Sequence, residues 1–161
     1  MVQYTPIWDV LLNKTLNIME ICTPKGYIHT SWQQAEKKSK MEIKTVNLKD
    51  KFDSFTDYWS PKIVGELNGQ LVKVAKFKDE FIMHQHENED EMFLVIEGKL
   101  LMELDNKTLE VKSGEFVVIP KKTNHRPMAV GEVKVLLFEP KTTLNTGNTE
   151  TEFTVINLDK I

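Results

Sequence analysis

Cysteine, arginine and long apolar runs are what this chain has least of. Cys22 is the lone cysteine among 161 residues, so no disulfide can close within the chain and nothing in it requires an oxidising compartment. It reads as a small inert hydrophobe. Arg126 is the only arginine, which removes any cluster for forked recognition of phosphate or carboxylate and counts against a multiply phosphorylated substrate. The net charge of −3, from 24 acidic and 21 basic residues, supplies no broad cationic surface, so nucleic acid is not an expected partner. The first twenty residues have no basic leader, and Asp9, Lys14 and Glu20 break their apolar run short of secretory or membrane-spanning length. Residues 1–40 also hold acidic groups and no arginine, unlike a mitochondrial presequence. The expected setting is the cytoplasm, without membrane attachment.

The length suits a single domain with its own core, and the pattern changes near Met41. Before it, Thr5-Pro6 is suited to start a helix whose stripe is Trp8, Leu11, Leu12, Leu16 and Met19, stopped by Thr23-Pro24-Lys25-Gly26. Residues 1–40 are therefore expected to form an N-terminal extension, either a docking helix or a disordered segment, with Ala35 to Lys40 as a polar linker. An alternative makes Met41 the native start and residues 1–40 an upstream extension of the gene.

Residues 41–161 read as the main domain, and the signals there are those of strands and turns. Met41 to Val46 alternates apolar and polar residues, and a short helical turn is expected around Leu48 to Phe55. Lys62 to Leu67 and Gln70 to Phe77 flank Asn68-Gly69, a pair suited to the positive backbone angles of a type I′ hairpin turn. Further strands are expected at Glu91 to Ile96, Lys99 to Leu104, Thr108 to Val111, Glu115 to Ile119 and Val133 to Phe138, with a turn at Asp105-Asn106 and a late edge strand at Phe153 to Ile156. Short strands at regular spacing indicate an all-β sandwich or barrel, and no internal repeat is visible.

One constellation carries chemistry. His84 and His86, spaced i and i+2, share a face if their segment is a strand, with Gln85 turned away. After the polar turn Glu87 to Asp90, the strand beginning at Glu91 puts Glu91, Phe93 and Val95 on one face, where Phe93 and Val95 would make a pocket mouth apolar. His125 follows the strand Phe116 to Ile119 and a corner at Pro120-Lys121-Lys122-Thr123-Asn124, so a neighbouring strand can deliver it. Three imidazoles and a carboxylate suit a divalent transition metal: iron, manganese, nickel, cobalt, copper or zinc. Glu87, Glu89 and Asp90 read as a solvated loop, one of which could orient a ligand histidine. Arg126 should point away from the site, His29 is incidental, and Tyr58 and Trp59 suit an edge or subunit contact rather than a substrate pocket.

These residues resemble the motifs of a small single-domain cupin of the type-2 kind, over about residues 62–139, with core motifs in 78–129. His84, His86, Glu91 and Gly98 fit the first cupin motif; Gly114, Pro120 and His125 fit the second. The resemblance implies a double-stranded β-helix, the jelly-roll barrel, carrying the partly helical N-terminal extension, with metal at His84, His86, Glu91 and His125. It further implies a homodimer and a small-molecule ligand or substrate. The expected function is a metal-dependent enzyme acting on a small oxygen-bearing metabolite, dioxygenase-like or isomerase- or decarboxylase-like; the alternative is a non-catalytic module that binds a metal or small molecule. The chain departs from the motifs at Lys78, Lys122 and Ala129, where the family carries glycine, glycine and asparagine. Lys122 is expected to take the left-handed backbone conformation that glycine adopts freely.

Overall fold

The Asn68-Gly69 turn forms as its chemistry requires, with φ of 50° and 78°, and joins β1 (Lys62–Leu67) to β2 (Gln70–Glu80). The computed structural model describes residues 43–161; the expected N-terminal helix, Cys22 and His29 lie outside the described residues. After β2 come β3 (Glu91–Glu97), β4 (Lys99–Leu104), β5 (Lys107–Lys112), β6 (Phe116–Ile119) and β7 (His125–Pro140). A six-residue helix, α1 (Leu48–Asp53), precedes them, started by the Asn47 side chain accepting from the amides of Lys49 and Asp50.

All the ladders are antiparallel. The long strand β7 organises them: its first half pairs with β4, from Leu104↔His125 to Leu100↔Ala129, and its second half lies between β2 and β3. β6 extends β3, β1 extends β2, and β5 closes a hairpin on β4 through Asp105-Asn106. Alternate side chains point inward, as a pleated strand dictates. Ala75, Phe77, Phe93, Val95, Leu100, Met102, Val111, Ile119, Val133, Val135 and Leu137 therefore meet in one barrel core. A smaller cluster on the outer face packs Phe52 and Phe55 against Val64 and Val74. This is the jelly-roll barrel that the strand pattern and motifs imply. Among the described residues, no helix is long and apolar enough to cross a membrane.

Gly98 shows why one motif position admits only glycine. It turns β3 into β4 at φ 89°, and a Cβ there would stand 2.7 Å from the Glu132 carbonyl oxygen. Lys122 does take the left-handed conformation, at φ 64°. Its amide donates to the His86 carbonyl at 2.7 Å, and its ammonium pairs with Glu87 at 2.8 Å.

Three strand expectations need correction. Ile43 to Val46 forms no strand, and Ile43 is fully exposed, because alternation without a neighbouring ladder has nothing to pair with. Phe153 to Ile156 likewise forms no strand. That segment is held by side-chain brackets: the Asn145 amide donates to the Phe153 carbonyl and accepts from the Val155 amide. The last strand begins at His125 rather than Val133, since β4 pairs with the polar first half that its composition disguises.

Candidate metal centre

His84 and His125 are brought together by their own backbones. Each amide donates to the other's carbonyl, at 3.0 and 2.9 Å, an isolated antiparallel bridge that leaves the rings 4.2 Å apart. The segment around His84 and His86 is extended chain with that single bridge, not the continuous strand expected, yet both side chains still face inward and are buried. Glu91 enters as the first residue of β3, and His125 as the first of β7. The ligand atoms of His84, His86, Glu91 and His125 all lie within 4.8 Å of one another.

Backbone carbonyls set the direction of two rings. His84 Nδ1 lies 3.1 Å from the Ile82 carbonyl and His125 Nδ1 lies 2.9 Å from the Thr123 carbonyl. A carbonyl can only accept, so each Nδ1 carries the proton and each Nε2 keeps its lone pair. The acids of the loop orient no ligand ring: Glu87 pairs with Lys122, Glu89 accepts from the Thr142 hydroxyl, and Asp90 accepts from the Lys121 amide. They hold the rim, not the rings. Arg126 points away as expected, paired with Glu103 and Glu80.

Glu91 Oε2 stands 3.2 Å from His86 Nε2 and 3.4 Å from His125 Nε2, and none of these three buried atoms has a hydrogen-bond partner among the described residues. Buried polar atoms are rarely left so. The bare His125 Nε2 and the Glu91 carboxylate converge beside a His86 ring free to take the same tautomer, and imidazole nitrogens with a carboxylate are the donor set that transition ions take. Burial and the neighbouring His125 push His84 down to about 4, so the ring is neutral and available near neutral pH. Burial alone would raise the Glu91 carboxyl. Protons on the His125 and His86 rings facing it would outweigh burial and hold Glu91 below the usual carboxylate range; where those nitrogens are bare, a bound cation would take that part.

Beside the cluster is a small cavity of about 20 Å³, partly open to solvent. His84 and Glu91 open onto it, and its walls include Trp59, Phe77, Phe81, Phe93 and Asn145. Phe93 is therefore a pocket residue as expected, whereas Val95 lies fully buried in the core and does not reach it. Trp59 corrects the expectation of an edge contact. It stacks on Phe77 at 4.2 Å and Phe81 at 4.9 Å, donates from its indole to the Lys78 carbonyl, and is held at φ 57°. Tyr58 does remain outside, donating to Glu132. No periodic signal could place Trp59, because it precedes β1 and belongs to no strand. Asn145 reaches the pocket from the segment after β7, equally without a local signal.

An antiparallel barrel that buries three histidines and a glutamate against a small aromatic cavity defines a class, the barrels whose interior carries a donor cluster able to hold a metal. Residues 70–140 match the family model described as the cupin domain. A cupin-2 domain protein from Shewanella frigidimarina is 38% identical, with a TM-score of 0.59 over 60% of this chain and 94% of that one. Protein NMB1881 from Neisseria meningitidis is 25% identical, with a TM-score of 0.56 over 61% of this chain and all of that one. YdbB of Bacillus subtilis is 39% identical over 64 residues, which are 39% of this chain and 57% of YdbB. The match thus spans little more than half of that curated relative. The chain belongs to the cupin family, and its domain is a type-2 cupin.

Proposed function

We propose that this cupin is a metal-dependent enzyme acting on a small, uncharged or singly anionic, oxygen-bearing metabolite with an apolar body. The observation that carries the reading is the junction of the four-donor cluster with the cavity, through His84 and Glu91. His84, His86, Glu91 and His125 would hold one divalent transition ion. When bound, such an ion supplies Lewis acidity for isomerisation or decarboxylation, or redox chemistry with dioxygen. The protein's own residues do the rest. Trp59, Phe77, Phe81 and Phe93 exclude water and offer flat apolar faces to a substrate. Among the described residues no lysine or arginine lines the cavity, which supports neither a phosphate nor a polyanion. Trp59 at positive φ is a costly conformation for a bulky residue, and such strain persists where surrounding contacts fix it, often at ligand sites.

One observation favours a non-catalytic binding module instead. Among the described residues, apart from the proposed ligands His84 and Glu91, no titratable side chain lines the cavity, so a proton would have to be moved by water or by the substrate itself. Elemental analysis of protein purified without added metal, paired with oxygen uptake over small diketones, thiols and phenols, separates the two. The enzyme reading predicts about one equivalent of metal and turnover of at least one compound. Stoichiometric metal with no turnover on this panel or on isomerisation and decarboxylation substrates favours the binding role.

A further inference from the structure

The outer face of β2, β7, β3 and β6 is apolar as well as the inner one. Its side chains form two rows that cross all four strands: Val74, Leu136, Leu94 and Phe116, and beside them Val72, Phe138, Met92 and Val118. An antiparallel sheet commonly turns a polar face to water, whereas strands buried on both faces read as near-continuous apolar runs, as residues 92–96 and β6 do here. At one end the rows are covered: Phe52 and Phe55 pack there and Val74 is fully buried. At the other end Phe116 and Val118 are 64% and 50% exposed. β6 is also the last strand of its sheet, with no neighbour beyond it among the described residues. The Val95 amide donates to the Glu115 carbonyl, and ladder bonds alternate along antiparallel strands. The N–H and C=O groups of Phe116 and Val118 therefore point away from β3, toward the open edge.

We propose that the β6 edge and the apolar rows beside it are an interface for a second copy of this chain, joined about a two-fold axis at Val118. Identical strand edges pair antiparallel under a two-fold axis, so the same surface serves both partners. Centred on Val118, the pairing lets each Val118 exchange both backbone bonds with the partner's Val118 and sets Phe116 opposite the partner's Pro120. One step further out, Glu115 stands opposite the partner's Lys121, and the same pair recurs across the axis. Both side chains are exposed and free to meet: Glu115 accepts only from the Lys112 amide, and the Lys121 ammonium has no partner among the described residues. An acid before the strand and a base after it make the edge complementary to itself in charge as well as in hydrogen bonding. A partner strongly charged in one sign would meet a like charge at one end of the strand. Pairing would also close an apolar edge that otherwise invites unspecific association.

Sedimentation equilibrium of the full chain over a range of concentrations, with amide hydrogen exchange measured at the lowest and highest, tests this. Wild type should form a dimer, and exchange at Phe116 and Val118 should slow as the dimer fills. Val118→Glu sets two like charges against each other at the axis and should weaken the dimer by roughly 100-fold or more. The position is on the surface, so the variant should stay folded by circular dichroism. Glu115→Lys and Lys121→Glu should each weaken the dimer by roughly 3- to 10-fold. Combining them restores opposite signs across the axis, and the double variant should return to within roughly threefold of wild type. A chain that stays monomeric throughout overturns the inference, because something other than a second copy then covers the rows. A dimer indifferent to Val118→Glu, or one whose Val118 amide exchanges alike at both concentrations, joins elsewhere and overturns it too. So does a charge-swapped double variant no tighter than its single variants.

Discussion

His84 illustrates how one side chain can be prepared by its surroundings. Its backbone is tied to His125 in both directions, its Nδ1 faces the Ile82 carbonyl, and burial then disfavours the imidazolium. In the metal-free protein an NMR titration of the His84 ring should give a midpoint near 4 instead of 6.5. A midpoint at or above 6.5 would mean that the ring is solvated or paired as a cation. The depressed value means that His84 contributes stability fully present above pH 6.5 and lost as pH falls toward 4. Glu139, buried in the barrel beside Lys73, acts with the opposite sign, since burial and then Glu91 raise its carboxyl, so the ring itself, not overall stability, is the clean observable. At this scale the sequence was legible where side-chain alternation and motif spacing apply, which covers His84, His86, Glu91 and His125. Lys73 and Glu139 were legible by the same rule, as charges at inward positions of apolar strands, and were overlooked because each stands alone in sequence. Trp59 and Asn145 obey no such rule.

The elements differ in how much of their cause is local. The β1–β2 hairpin depends on Asn68-Gly69 and α1 on the Asn47 cap, both readable from a few residues. The run 141–161 depends on contacts far away. Gly147 sits at φ 57° with its Cα against the backbone of Gln85, the residue between His84 and His86; a Cβ there would be 2.0 Å from the Gln85 carbonyl oxygen. Asn148 donates its amide to the same carbonyl, and Phe153 packs on Phe81, 5.6 Å between rings. Backbone cannot yield as a flexible side chain can. Gly147→Ala should therefore cost about 2 kcal/mol or more, combining the positive φ with the clash. Amide hydrogen exchange should show faster exchange in residues 141–156 and around Gln85, with β2 and β7 protected as before. Unchanged exchange in both segments would show that this run is not braced against the segment of His84 and His86.

For the whole domain, what matters is that residues from distant parts of the chain reach one buried point because β7 belongs to both halves of the barrel. Its first residue, His125, meets β4 and the segment of His84, while its second half lies beside β3, which begins at Glu91. The pairings that close the barrel are also those that bring the site residues together. The fold was legible from short strands and turns, and the site from four residues. The cavity wall was not, because it is built by pieces before β1 and after β7 whose placement only the closed barrel determines. The central claim is that the four buried donors hold one transition ion, and metal content compared between wild type and His84→Ala/His86→Ala tests it most directly. After purification without added metal and after reconstitution with cobalt, wild type should carry about one ion per chain. The double variant, still folded by circular dichroism, should retain essentially none; an equivalent of tightly bound ion in that variant would contradict the account.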